Sequence, residues 1–116
     1  MDKILEQSLL YDFYGELLNE HQRRVYESYL FEDLSLGELA EELGISRQGV
    51  HDMVRRCDKS LREYEDKLHL VERFSRAKEE LRGITELTGG DHLSAEEAGK
   101  RLKEIRRLAS ALAEDF

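Results

Sequence analysis

No proline occurs anywhere in this 116-residue chain. Average usage near 5 per cent would place roughly six in a chain of this length. Proline is expelled chiefly from helix interiors, where it removes a backbone donor and clashes with the preceding turn. The chain is therefore expected to be all-α, with helices nearly end to end. Charged residues make up 38 per cent and the hydrophobic set 40 per cent, which fits a globular, cytoplasmic protein. A chain this long can bury a core without disulfides or metal. Its one cysteine, Cys57, excludes an internal disulfide framework. No run of 18 apolar residues is present, so no membrane insertion is expected. The start, Met1-Asp2-Lys3-Ile4, lacks the basic stretch of a signal peptide.

Cap residues divide the chain into segments. Asn19 with Gln22, Ser35 with Glu38, and Ser94 with Glu97 each have the spacing of a capping box, and Ser46 is a lone N-cap. Gly44, Gly83 and the Gly89-Gly90 pair read as stops. Five helices follow, over about 2–18, 20–31, 36–43, 47–81 (with room for a bend) and 95–114. Ala98, Leu102, Ile105, Ala109, Leu112 and Phe116 repeat at 4-3-4-3-4, and Phe74, Ala77, Leu81 and Ile84 form a matching stripe. These predict a C-terminal helical hairpin whose stripes bury against each other. Residues 1–70 are read as an N-terminal helix plus the next three helical segments, and 71–116 as a helical extension packed on them.

The first helix carries two apolar stripes. Ile4, Tyr11, Tyr14 and Leu18, with Leu10 beside them, form one; Leu5, Leu9, Phe13 and Leu17 form the other. A helix apolar on two sides is buried on two sides. The second stripe is either the core contact of a wrapped central helix or the interface of a homodimer.

The segment from Leu34 to Val50 has the form of a helix-turn-helix. Leu36, Leu39, Ala40 and Leu43 give the first helix its apolar face, and Ala40 is small where the second helix must cross. Gly44 permits a left-handed turn, Ile45 is placed to plug the corner, Ser46 caps, and Val50 and Val54 seat the second helix. With Val50, Val54, Cys57 and Leu61 inward, the outward set on that helix is Arg47, Gln48, His51, Asp52, Arg55, Arg56 and Lys59. The recognition helix of such a motif presents its N-terminal residues to base edges in the major groove. Arg matches guanine and phosphate, and Gln matches adenine. Ser46, Arg47, Gln48, His51, Arg55, Arg56 and Lys59 are the candidate nucleic-acid-binding residues; the competing reading is an ordinary solvated face.

The formal charge of −8 argues against nucleic acid only when taken whole. Residues 1–46 hold 11 acids and 3 bases, a balance of −8, whereas residues 47–62 hold 5 bases and 2 acids, a balance of +3. The one positive block is the proposed recognition helix. An enzyme is disfavoured: His21, His51, His69 and His92 lie in separate segments without metal-ligand spacing, and no phosphate-binding loop appears. No metal site and no cofactor are expected.

Residues 18–61 resemble the promoter-reading fourth region of bacterial sigma factors, through Asn19-Glu20-His21-Gln22-Arg23-Arg24-Val25-Tyr26, the 36–43 helix and Gly44-Ile45-Ser46-Arg47. The expected architecture is thus a sigma region-4-like bundle without a wing, with a long recognition helix. A closer resemblance covers nearly the whole chain. Leu10-Tyr11-Asp12-Phe13-Tyr14-Gly15, Asp33-Leu34-Ser35-Leu36-Gly37-Glu38, Ser46-Arg47-Gln48-Gly49-Val50 and Tyr64-Glu65-Asp66-Lys67-Leu68 are similar to the YlxM family. These are small bacterial helix-turn-helix proteins associated with the signal recognition particle. The resemblance implies a non-enzymatic regulator of that particle whose partner is its GTPase, its RNA, or DNA. Two functional classes follow: nucleic-acid binding through residues 47–62, or a protein adaptor that docks its acidic N-terminal half on the GTPase.

Overall fold

Every regular element of the computed structural model, which describes residues 2–116, is helical. In chain order they are α1 (Lys3–Tyr14), a 3-10 turn (Gly15–Leu17), α2 (Glu20–Phe31), α3 (Leu36–Leu43), α4 (Arg47–Leu68), α5 (Leu70–Leu87) and α6 (Ala95–Asp115). The chain divides into two compact units, one ending at Val71 and the other spanning Glu72–Phe116. No helix among the described residues is long and apolar enough to cross a membrane.

The caps form as the sequence requires, with one difference. Asn19 and Gln22 make a complete capping box, each side chain bonded to the other's backbone N–H. Ser46 Oγ accepts from Gly49 N at 2.9 Å, the lone cap expected. Ser35 and Ser94 accept from the Glu38 and Glu97 amides, the first half of the box. The Glu38 carboxylate does not reach back to the backbone; it accepts the Ser35 hydroxyl at 3.2 Å.

In the first unit α4 is the central strut, packed against α1, α2 and α3. Its inward residues Val50, Val54, Cys57 and Leu61 are buried, as are Leu10, Tyr14, Leu18, Val25, Tyr26 and Leu39 from the helices around it. Cys57 behaves as a small hydrophobe: burial pushes its thiol up to about 11. On α1 the buried line is Gln7, Leu10 and Tyr14, continued by Leu18. Ile4, expected on this line, is 46 % exposed. The helix ends at Tyr14 rather than Leu18 because the chain tightens into the 3-10 turn. A Cβ on Gly15 would come within 2.7–2.9 Å of the Tyr11 ring, so glycine is what lets the turn close there.

The long fourth helix expected over 47–81 is two helices. His69 adopts the left-handed conformation (φ 56°) and separates α4 from α5. A break costs the next helix its first N–H partners. Two tertiary acceptors replace them: Tyr14 Oη accepts from Leu70 N at 3.1 Å, and Glu65 Oε1 accepts from Val71 N at 3.0 Å. Tyr14 Oη also donates to Glu65 Oε1 at 2.5 Å, so one hydroxyl and one carboxylate together cap α5. The apolar stripe runs through the break, and the stripe alone gives no sign of it.

In the second unit α5 and α6 form an antiparallel hairpin. Gly83, read from sequence as a stop, lies inside α5. A Cβ there would sit 3.3 Å from Leu108 Cδ1, so the missing side chain is what makes room for Leu108 on α5. Arg101 donates to the carbonyls of Leu87 (3.4 Å) and Gly89 (2.8 Å), closing the C-terminus of α5. Arg73 at the far end bonds the Asp115 carbonyl and lies 5.0 Å from the Phe116 ring centre. The expectation that the two stripes bury each other holds only in part. Neither helix contains a buried residue, and Phe74, Leu81, Leu102 and Phe116 are 41–76 % exposed. Two helices can cover only the residues along their seam.

Candidate nucleic-acid interface

The turn of the helix-turn-helix is fixed by backbone geometry. Gly44 takes φ 70°, ψ 28°, the left-handed region that costs a side-chain-bearing residue about 1 kcal/mol or more. It lets Ile45 N reach Ala40 O (3.1 Å) and Gly44 N reach Glu41 O (3.3 Å), which satisfies the last carbonyls of α3. Ile45 does not plug the corner: it is 36 % exposed and lies beside Gly49. The corner is sealed instead by buried Leu39 and Ala40 against buried Val50.

From Ser46 onward α4 sorts its residues by face. Arg47, Gln48, His51, Arg55, Arg56 and Lys59 are all exposed, as is the N-cap Ser46. Four bases thus lie within four turns on one side of α4. Arg47 lies across the first turn of α3, where a Cβ on Gly37 would be 3.6 Å from its Nε. Asp52 is the acid of this face. It accepts from Gln48 Nε2 at 2.9 Å, and its carboxylate is 3.8 Å from His51 Nδ1. Asp52, Arg55, Arg56 and Lys59 line one shallow, open depression.

The second acid of the block, Asp58, does not belong to the exposed face. It turns toward α1 and α2, where Gln7 Nε2 donates to both its oxygens at 3.0 Å and Tyr26 Oη donates to Oδ1 at 2.5 Å. Gln7 is 2 % exposed and Tyr26 is fully buried. Burial first, then the hydrogen bond to Asp58, raises the Tyr26 phenol well above its ordinary value. This polar cluster was not visible from sequence. A glutamine on the buried line of α1, paired in phase with an acid on the inward side of α4, was the available signal. Arg62 is drawn off the face too, by an ion pair to Glu6 at 2.7 Å.

The residues of the second α1 stripe separate. Leu5 and Leu17 are 53 % and 56 % exposed, while Leu9 and Phe13 are half-buried. A fully wrapped α1 is therefore not what the fold provides. Away from α4, an open cleft of about 500 Å³ between α2 and α3 mixes Glu20, Glu27, Glu32 and Glu42 with Arg23 and Arg24. No cluster of His, Cys, Asp and Glu suited to a metal ion occurs among the described residues.

Comparison with known proteins agrees with this geometry. Residues 1–104 match the model of the UPF0122 family, described as "Putative helix-turn-helix protein, YlxM / p13 like". A UPF0122 protein of Caldanaerobacter subterraneus subsp. tengcongensis is 47% identical over 85 residues, 73% of each chain. One from Halalkalibacterium halodurans is 44% identical over 86 residues, 74% of this chain and 79% of that protein. One from Clostridium kluyveri is 41% identical over 106 residues, 91% of this chain and 94% of that protein. With the match running through every helix of the first unit and most of the second, the chain belongs to the UPF0122 family of YlxM/p13-like helix-turn-helix proteins.

Proposed function

We propose that this protein is a non-enzymatic regulator that binds nucleic acid through the exposed face of α4. Ser46 and Arg47 sit at the N-terminal end, Gln48 in the first turn, His51 at the start of the second, and Arg55, Arg56 and Lys59 along the flank that would face the phosphate backbone. The observation that carries this reading is the sorting of charge on α4. Its bases lie outward, while Asp58 is held inward by Gln7 and Tyr26. A helix presented this way fits the major groove of B-form DNA; the deep, narrow groove of A-form RNA admits it only where the helix is distorted. DNA is therefore the favoured ligand, and the RNA of the signal recognition particle, which the YlxM resemblance brings in, is the second arm of the test.

The test is a mobility shift with duplex DNA and with particle RNA, on wild type and the Arg47→Ala/Gln48→Ala/Arg55→Ala variant. The reading expects the variant to keep its helical signal and lose the shift. An unchanged shift refutes it. Charge also favours one other reading. The 11 acids of residues 1–46 suit a basic protein surface, and the docking partner would be the particle's GTPase. That reading expects salt-sensitive capture of the GTPase, insensitive to nuclease and to the triple substitution. We also assign self-association to the stripe Leu5, Leu9 and Phe13 of α1 with Leu17 of the 3-10 turn, since a helix-turn-helix dimer reads two half-sites. Light scattering at micromolar concentration tests it, and a monomeric mass refutes it.

A further inference from the structure

Gln48 is the second residue of α4 and is exposed, at the end of the helix that meets base edges in a groove-bound helix-turn-helix. Its amide is held. Nε2 donates to Asp52 Oδ1 at 2.9 Å, four residues further on. Residues at this spacing lie one above the other on a helix, so the pair runs along the exposed face.

The choice of partner is informative. Asp52 shares its depression with Arg55 and Arg56, three and four positions on, where a helical ion pair is ordinary. None of the ion pairs among the described residues joins Asp52 to either arginine. The carboxylate instead turns back toward the N-terminus of α4 and accepts from a neutral amide. His51 Nδ1, at 3.8 Å, is beyond hydrogen-bonding reach. The two guanidinium groups are thereby left for phosphate, and the Gln48 amide is given one sense.

That sense has a consequence for base reading. A carboxylate only accepts, so Nε2 and not Oε1 faces Asp52. One N–H is used there, and the other remains beside Oε1. The amide thus offers one donor and one acceptor in a fixed order along the groove. Adenine matches such a pair, because N7 accepts and the N6 amino group donates. Guanine presents two acceptors, N7 and O6, one of which would meet Oε1. An amide free to turn escapes that clash by swinging its NH2 toward O6.

We propose that Asp52 is the positioning residue for base reading by α4: it holds the Gln48 amide in the sense that accepts adenine and rejects guanine. The proposal rests on the reading of α4 as a DNA-binding helix and names the residue that makes it selective. The same carboxylate repels phosphate on every sequence alike, so selectivity and modest affinity have one source.

The experiment is a selection by the full chain from duplex DNA with a randomised central segment. Mobility shifts then compare the selected duplex with its adenine-to-guanine change. Circular dichroism confirms the helix content of each variant. Wild type should prefer adenine over guanine at one position by about tenfold or more, and Gln48→Ala marks that position by losing the preference there. Asp52→Asn keeps the shape but offers an acceptor or a donor, so it holds the amide in either sense. Its preference should fall to about twofold at the marked position and stay unchanged at the others. The lost charge raises affinity for both duplexes equally and cancels in the ratio. Asp52→Glu, which keeps a carboxylate, should retain the preference; a merely structural role would not move this ratio at all. An Asp52→Asn protein that still prefers adenine overturns the proposal and leaves the DNA reading standing. So does a loss at a position other than the one Gln48→Ala marks, which makes Asp52 itself a base contact. A wild type that binds the pool but enriches no sequence has the same meaning. A wild type that binds no duplex overturns both.

Discussion

Substituting Asp58 by alanine should be among the most damaging changes available on α4, although the residue belongs to the charged block of that helix. The substitution deletes three hydrogen bonds: two from Gln7 Nε2 at 3.0 Å and one from Tyr26 Oη at 2.5 Å. The two donors have no access to water in exchange, since Gln7 is 2 % exposed and Tyr26 fully buried. Gln7 keeps only its acceptor contact with Tyr29 Oη at 3.5 Å. A buried donor left unpaired costs about 1–3 kcal/mol, so two cost about 2–6 kcal/mol, toward the lower end after relaxation. Alanine's better helix propensity returns about 0.5 kcal/mol. Asp58→Asn retains one acceptor oxygen but turns an NH2 toward a donor, and should fall about halfway. The control is Asp52→Ala, one and a half turns earlier on the same helix, where both partners are exposed and the change should stay within about 0.5 kcal/mol. Urea titration followed by helical dichroism at pH 7 reads all three. If Asp58→Ala unfolds within about 1 kcal/mol of Asp52→Ala, the buried polar cluster does not hold α1 and α2 to α4. Tyr26→Phe added to Asp58→Ala should cost little more than Asp58→Ala alone, because the bond it removes is already gone.

Three further outcomes follow from the same structure. Tyr11, Tyr14 and Tyr26 all have phenols raised above the ordinary value, by burial first and then by hydrogen bonds to Glu27, Glu65 and Asp58. The folded state therefore holds these protons more tightly than the unfolded state. Their contribution is complete below about pH 10 and falls as pH rises through that value, so urea midpoints should drop in alkali, and drop less in Tyr26→Phe. Gly44→Ala meets no atom within 4 Å, so its cost is the φ of 70° alone, about 1 kcal/mol by denaturant titration. Asp52→Asn removes the acid that holds Gln48 and should tighten nucleic-acid binding several-fold in a mobility shift; weaker binding would mean that Asp52 itself contacts the ligand.

The local rules of the chain were legible because they depend on neighbours in sequence. The bounds of α2 and α3, the caps at Asn19, Ser35, Ser46 and Ser94, the left-handed Gly44 and the inward line Val50, Val54, Cys57, Leu61 are each set within a few residues. What escaped depends on partners far along the chain. The break at His69 is supported by Tyr14, 55 positions away in sequence, and no periodicity in residues 61–84 carries that information. Asp58 enters the sequence only as one of the two acids of residues 47–62, and its inward role is hidden because its partner Gln7 is a polar residue at a core position, where the hydrophobic pattern expects none. Gly83 reads as a stop because glycine has two uses, ending a helix or making room for a neighbouring side chain, and only the position of Leu108 distinguishes them.

The charge of the chain and the shape of its candidate interface meet at Asp58. By sequence, residues 47–62 carry +3, from Arg47, Arg55, Arg56, Lys59 and Arg62 against Asp52 and Asp58. Arg62 is engaged by Glu6, and Asp58 is drawn inward by Gln7 and Tyr26. The solvent-facing remainder is four bases and one acid, again +3, but compressed into residues 47–59. The network that fastens α1 and α2 to α4 is thus the one that clears a negative charge from the face α4 presents. If three or four of these bases meet phosphates, log affinity should fall against log salt with a slope of about −3. The acids of residues 1–46 add no phosphate contact, so they would leave that slope alone and lower the affinity at every salt concentration. An adaptor that docks its acidic half on a basic protein makes the opposite demand: its salt dependence would vanish when the acids of residues 1–46 are neutralised and persist when Arg47, Arg55, Arg56 and Lys59 are. Salt titration of these two sets of variants therefore separates the readings without knowledge of the target sequence.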